Sequence, residues 1–288
     1  VTPYVVKAKA ADFLSGFRSK SVNLINADPP YATGNEKSKV PNYTHSAAMA
    51  AKKWNNFKAE SGWDTIADYL KFSLEWMEAA RDCLTDDGNL LVWGTLVHNL
   101  HHVRYAVDRL DMWAIQALHW TKTNPYPNMA GTQFSCATES VLWIRKSKKK
   151  KSYYDKTVAA RYPIIGVDGQ PLKNLRDYFL YPAETWVGKD WHHPSRKPIK
   201  LTSLLVDAFT PKSQFVRSVD PFAVSGTTGV SAQAVPGLIG EVWLGDNDAG
   251  YVKDILTKRL FPVSYPLARY EGGDNILELP VREAAYYG

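Results

Sequence analysis

Four consecutive residues, Asp28-Pro29-Pro30-Tyr31, place a carboxylate, two ring-locked backbones and an aromatic face directly after a short β-prone run, Ser21-Val22-Asn23-Leu24-Ile25-Asn26. Consecutive prolines cannot extend a ladder, so the run stops there and the motif falls at the strand's carboxyl end. The prolines stiffen the chain and fix carbonyls and the Asp28 carboxylate as acceptors, while Tyr31 offers a ring for stacking. This set suits an exocyclic amine on an aromatic base, a poor nucleophile because its lone pair is delocalised into the ring. Two fixed acceptors can hold its hydrogens and favour the pyramidal form whose lone pair faces an electrophile. A base inside a duplex is out of reach, so the chemistry requires a flipped nucleotide.

A second loop, Asp220-Pro221-Phe222-Ala223-Val224-Ser225-Gly226-Thr227-Thr228-Gly229, ends a predicted strand over Phe215 to Phe222 and opens a helix from about Thr228 to Val235. Such a loop turns unpaired N–H groups toward the carboxyl edge of a sheet, where ligands of open α/β folds sit. Gly226 permits close approach to the backbone. Asp246 follows the apolar strand Gly240 to Leu244, at the spacing where an acid meets ribose hydroxyls in nucleotide-binding βαβ units. The pattern points to an adenosine-containing cofactor. No GxGxxG follows a strand here, which argues against a dinucleotide dehydrogenase.

The elements that must position these loops alternate. Asp64 offers an N-cap, and Ile66, Tyr69, Leu70, Leu74, Met77 and Cys83 recur at helical spacing up to Asp87-Gly88. Leu90 to Gly94 reads as a buried strand, followed by a helix through Leu110. Later, a helix over Ile199 to Phe209 carries the stripe Leu201, Leu204, Leu205 and Ala208, and another spans Tyr251 to Leu260. This alternation predicts a largely parallel sheet with helices on both faces. The segment 124–191 lacks it and reads as an insertion between a catalytic half, 1–123, and a cofactor half, 192–288, of one α/β domain.

Composition bounds the rest. At 288 residues, with 45% apolar, 12% aromatic and 22% charged residues, the chain is a globular protein of one large or two small domains, and fibrous and disordered classes drop out. Cys83 and Cys136 lack ligand spacing and read as ordinary thiols, with no metal. No apolar run approaches the ~20 residues that span a bilayer, and the N-terminus lacks a signal-peptide pattern, so a cytoplasmic protein without a membrane partner is expected. The net charge is +6, and Arg145 to Lys156 alone carry seven bases and one acid, Asp155, so the excess is local.

Asp28-Pro29-Pro30-Tyr31 resembles the catalytic motif of amino-group DNA methyltransferases. His193-Pro194-Ser195-Arg196-Lys197-Pro198 resembles their HPTQKP-type motif, and Asp220 to Gly229 resembles their DPFxGSGTTG cofactor loop. The order, catalytic motif first and cofactor loop late, is similar to the circularly permuted β class of bacterial and phage enzymes, over roughly residues 5 to 260. The resemblance implies a Rossmann-like α/β fold with a mainly parallel seven-stranded sheet, and S-adenosyl-L-methionine as methyl donor. It implies that Asp28 and the Pro29 or Pro30 carbonyl hold the target amine and that Tyr31 stacks on the flipped base. Asp28, Asp220, Phe222, Ser225, Gly226, Thr227 and Thr228 would line the cofactor, with Asp246 on the ribose and Ser195 and Lys197 near the methionine end. An aspartate at the first catalytic position is typical of adenine N6 enzymes, whereas serine is more usual for cytosine N4.

In that family the inserted segment would be the target-recognition region on double-stranded DNA, with Lys146, Lys148, Lys149, Lys150 and Lys151 on phosphates and Asn128 and Gln133 on base edges. The loop from Thr33 to Gly62 borders the catalytic motif and is expected either to close over DNA or to be a surface excursion. A homodimer and a companion restriction enzyme are partners the resemblance admits. Two departures stand out: Val224 occupies the family's first loop glycine, and Lys9 stands where an acid usually faces the cofactor adenine. Two alternatives stay open beside the adenine N6 enzyme: a DNA cytosine N4-methyltransferase and, because of Val224 and Lys9, a DNA-binding subunit with weakened cofactor binding that needs a partner. An RNA substrate is a third reading.

Overall fold

In the computed structural model, residues 1–31, 66–125, 127, 131, 134–164, 170–184, 196–255, 259–260 and 276–278 are described. The strands are β1 (Thr2–Lys7), β2 (Val22–Ala27), β3 (Leu84–Gly94), β4 (Trp113–Lys122), β5 (Thr138–Arg145), β6 (Tyr178–Tyr181), β7 (Val216–Asp220), β8 (Gly240–Asp246) and β9 (Ile276–Glu278). The helices are α1 (Ala10–Ser15), α2 (Ile66–Cys83), α3 (His101–Arg109, entered through a wide turn at Leu96–Leu100), α4 (Val158–Arg161), α5 (Ile199–Phe209), α6 (Thr227–Ala234) and α7 (Ala249–Asp254). One sheet holds every described strand, in the order β6-β4-β5-β3-β2-β7-β8-β1-β9.

Side-chain alternation sorts the core into two layers. Val5, Leu24, Leu91 and Trp93 point to the face covered by α5 and α6, where Leu201, Leu204, Leu205 and Ala232 meet them. Their neighbours Val6, Ile25, Leu90 and Val92 point to the opposite face, against Phe13 and Leu14 of α1, Trp76, Met77 and Ala80 of α2, and Val103 and Val107 of α3. Helices therefore cover both faces, as the βαβ reading requires. The pairs β1–β8, β2–β3, β2–β7, β7–β8 and β4–β6 are parallel; β3–β5, β4–β5 and β1–β9 are antiparallel.

Two expectations are corrected. The described sheet has nine strands where seven were expected, because short β6 and β9 add to its two edges. The segment 124–191 is not set apart from the sheet: β5 lies inside it and is hydrogen-bonded on both sides, to β3 and β4, while β6 extends the β4 edge. The last α-helix, Ala249–Asp254, is capped by Asp248, which accepts from the amides of Gly250 and Tyr251, and the chain is helical again at Ile255 and Arg259, where the Leu260 amide donates to the Ile255 carbonyl at 3.1 Å.

Candidate active site

The parallel strands β1, β2, β3, β7 and β8 all end at the same edge, and the antiparallel β5 starts there. Asp28 follows β2 at that edge, the loop from Pro221 follows β7, and Glu139 enters on β5, opposite the end of β3 through the pairing of Ser140 with Gly94. One cavity joins the two loops. Asn26, Asp28, Trp93, Lys197, Thr202, Asp220, Phe222 and residues 223–225, 227 and 228 line it. Sequence positions separated by about 190 residues thus share one wall, through the direct pairing of β2 with β7.

Hydrogen bonds fix that wall. Trp93 Nε1 donates to Asn26 Oδ1 at 2.8 Å, Asn26 Nδ2 to Thr228 Oγ1 at 2.8 Å, and Thr228 Oγ1 to Asp220 Oδ2 at 2.6 Å. The Phe222 amide donates to the other oxygen of Asp220 at 3.0 Å. Burial pushes the Asp220 carboxyl up to about 7, against the pull of the Thr228 hydroxyl and the Phe222 amide. Gly226, with φ of +68°, caps α6 in the left-handed region, where a side chain is strained.

Asp28 lies against a buried cation. Its Oδ2 is 2.7 Å from Lys197 Nζ, and Lys197 is also 3.1 Å from Glu139 Oε2 and 3.4 Å from the Tyr31 hydroxyl. Trp93 and Tyr31 place their rings 5.4 and 5.5 Å from the same ammonium. Asp28 Oδ1 is buried without a hydrogen-bond partner among the described residues. Burial raises the Asp28 carboxyl above its usual range, with Lys197 pulling the other way. Burial also opposes ionisation of Glu139, but the Lys197 and Lys122 ammonium groups outweigh it and hold that carboxyl at about 2. Tyr31 donates to Glu139 Oε2 at 3.1 Å, and Tyr69 donates to the Pro30 carbonyl at 3.0 Å. A half-buried, partly unsatisfied carboxylate beside an anchored phenol ring is an acceptor site for a planar, hydrogen-donating group.

Of the residues expected from sequence, Asp28, Lys197, Asp220, Phe222, Ser225, Thr227 and Thr228 line the one cavity. Asp246 is not among them: its carboxylate accepts from the Val224 amide at 2.9 Å and the Asp248 amide at 2.9 Å, so it braces the loop. Val224 lines the cavity with φ of +36°, a conformation costly for a β-branched residue. Lys9 is exposed before α1, and Ser195, Asn128, Gln133 and the loop from Thr33 to Gly62 lie outside the described residues. Sequence reasoning missed Glu139, Lys122, Asn26, Trp93 and Tyr69. A lone acid opening the apolar run from Val141 to Ile144 was the one signal for Glu139.

The lysine run lies apart from the catalytic loops. β5 starts at the catalytic edge and runs away from it, so Arg145 pairs with Asn89 and the run emerges at the opposite edge. At about 3.4 Å per residue that is roughly 20 Å from the catalytic loops. Lys146 donates to the Leu84 carbonyl at 2.9 Å, Lys150 pairs with Asp86 at 2.5 Å, and Lys148 lies over the Trp113 ring. Lys146 to Lys151 therefore stand away from the catalytic loops. Neutralising Lys148 to Lys151 is expected to leave the salt dependence of binding to a short duplex unchanged; a slope reduced by several units in a filter-binding salt series would return the run to the DNA interface.

Among the described residues no helix is long and apolar enough to cross a membrane, and no cluster of His, Cys, Asp and Glu could hold a metal ion. Cys83 and Cys136 are free thiols.

A family model described as DNA methylase matches residues 22–240. The type II methyltransferase M2.LlaDCHI of Lactococcus lactis subsp. cremoris is 30% identical over 263 residues, covering 89% of this chain and 88% of its own. The type II methyltransferase M2.DpnII of Streptococcus pneumoniae shows the same identity and the same coverage. Among solved structures, the cytosine-N4-specific PvuII DNA methyltransferase has a TM-score of 0.62 at 16% identity, over 88% of this chain and 84% of that one, a likeness of fold.

Proposed function

Because the chain belongs to the N6/N4 DNA methylase family, it is an amino-group DNA methyltransferase using S-adenosyl-L-methionine, and we propose that its target is the N6 amino group of adenine within a specific DNA sequence. The observation that carries this is Asp28: a half-buried carboxylate with one buried, unpartnered oxygen, at the catalytic position where the resemblance associates aspartate with adenine.

The cavity suits the cofactor. The Asp220 carboxylate faces a space that also holds the Phe222 ring and the hydroxyls of Ser225, Thr227 and Thr228, which matches a cationic ligand with an aromatic and a sugar part. When bound there, S-adenosylmethionine supplies an electrophilic methyl group. Phe222, Ser225, Gly226, Thr227 and Thr228 would hold it, with Asp246 fixing the loop they stand on. Asp28 Oδ1 then accepts one amine hydrogen. The Pro29 or Pro30 carbonyl accepts the other; Tyr69 already donates to the Pro30 carbonyl, which keeps a second lone pair. Holding both hydrogens draws the nitrogen out of conjugation with the ring and aims its lone pair. Tyr31, anchored at its hydroxyl by Glu139, stacks on the flipped base. The DNA-facing groups belong to the catalytic edge, where the exposed Phe134 precedes β5. A companion restriction enzyme is part of the same proposal, supported by the type II names of the relatives, and so is a homodimer, which size-exclusion chromatography reads directly.

The test is to incubate the chain with duplex DNA and methyl-labelled cofactor, digest to nucleosides and identify the labelled one. N6-methyladenine is expected, and labelled N4-methylcytosine would overturn the adenine assignment. Val224→Gly takes a β-branched side chain out of the cavity wall, so cofactor affinity is expected to rise several-fold. Calorimetry checks this, and weaker binding in the variant would mean that the valine packs on the ligand.

A further inference from the structure

We propose that Glu139, with Lys122 behind it, is a positioning residue of methyl transfer: it shares the Lys197 ammonium with Asp28, so that Asp28 meets the amine as a carboxylate only partly neutralised. The proposal rests on the amino-group reading of the Asp28 site and adds residues that none of its motifs contains.

Four charged groups form a line. Lys122 Nζ is 2.6 Å from Glu139 Oε1, Lys197 Nζ is 3.1 Å from Glu139 Oε2, and Lys197 Nζ is 2.7 Å from Asp28 Oδ2. Side-chain exposures of 15% for Lys122, 12% for Glu139, 8% for Lys197 and 28% for Asp28 put the line under little solvent screening. Signs alternate and sum to zero, which is how four charges are tolerated there. Paired strands hold two of them: Lys122 ends β4 over the Trp120 ring and Glu139 stands on β5, while Trp93 of β3 lies beside Lys197.

The arrangement has a chemical consequence. With Asp28 as its sole carboxylate partner, Lys197 would neutralise the group that must accept an amine hydrogen and stabilise the positive charge developing on nitrogen as it gains the methyl. Glu139 takes part of that ammonium, and Lys122 keeps Glu139 ionised while it does so. The same Oε2 accepts the Tyr31 hydroxyl, so one carboxylate fixes both the cation and the stacking ring. The charged and titratable groups facing Asp28 are Lys197, Glu139 and Tyr31, with Tyr69 and Asp220 also within its field, and Lys122 acts on it through Glu139.

Glu139→Gln keeps the shape and removes the charge. In the full chain it is expected to lower kcat by about 10- to 100-fold with the cofactor KM within about twofold. The acidic limb of the kcat profile should move to lower pH, because a like charge beside Asp28 is gone. Lys122→Met should move that limb the other way, since Glu139 then draws Lys197 more strongly, and the double variant should behave like Glu139→Gln alone, because Lys122 acts through Glu139. Undiminished kcat in Glu139→Gln, or a loss with an unmoved limb, would overturn the proposal. A second reading needs no turnover: by 15N NMR of lysine-labelled free protein, the Lys197 ammonium protons, held by three acceptors, should exchange slowly in wild type and much faster in Glu139→Gln. Equal exchange in the two would also overturn it. A wild type that transfers no methyl while this exchange responds would instead overturn the methyl-transfer reading itself.

Discussion

Asp28→Ala is expected to reduce methyl transfer by about 10³-fold or more while leaving cofactor affinity within about twofold. The carboxylate's unpartnered Oδ1 is the group that receives the substrate amine, and no other described side chain occupies that position. The cofactor loop is organised independently of it, by Asp220 on Thr228 and Phe222 and by Asp246 on Val224. The fold should persist, because Lys197 keeps Glu139 as a counter-ion. Calorimetry with the cofactor and single-turnover assays separate the two effects, and loss of both together would place Asp28 in the cofactor site instead.

Lys197→Met is expected to damage stability as well as rate. Removing one member of a buried ion pair leaves uncompensated charge and typically costs about 3–5 kcal/mol. Here two carboxylates, Asp28 and Glu139, would be left with Lys122 as their one remaining cation. Both would then bind protons more tightly in the folded than in the unfolded chain. A carboxylate with a raised folded-state pKa stabilises at low pH and loses that contribution as pH rises, so the deficit relative to wild type should shrink between pH 7 and pH 5. In wild type, Glu139 has the opposite sign: held at about 2, it contributes stability above its ordinary range and loses it as pH falls. Urea unfolding at several pH values checks the prediction, and a deficit independent of pH would mean that Lys197 acts by packing alone.

The chemistry legible in the sequence was chemistry carried by neighbours in the chain. Asp28 to Tyr31 and Asp220 to Gly229 are contiguous, and the proline stops and small residues that shape them are local properties of the backbone. The supporting charges are not local. Glu139 stands 108 positions from Tyr31, and Lys197 stands 166 positions from it, so only the strand pairing brings them together. The lysine run shows the converse: its charge was obvious, but its location depends on the direction of β5, which pairs antiparallel with β3 and carries the run to the far edge. The departures at Val224 and Lys9 separate in the same way. Val224 holds a strained backbone in the cavity wall, whereas Lys9 stands exposed before α1.

The most direct test of an amino-group transfer at Asp28 is the position of the methyl group on DNA. A plasmid propagated in a bacterial host that expresses the chain can be sequenced by a method that reads base modification. The account predicts N6-methyladenine at one short recurring sequence, absent from a plasmid propagated with the Asp28→Ala variant. Modification on a ring carbon, or the same pattern with and without Asp28, would contradict it.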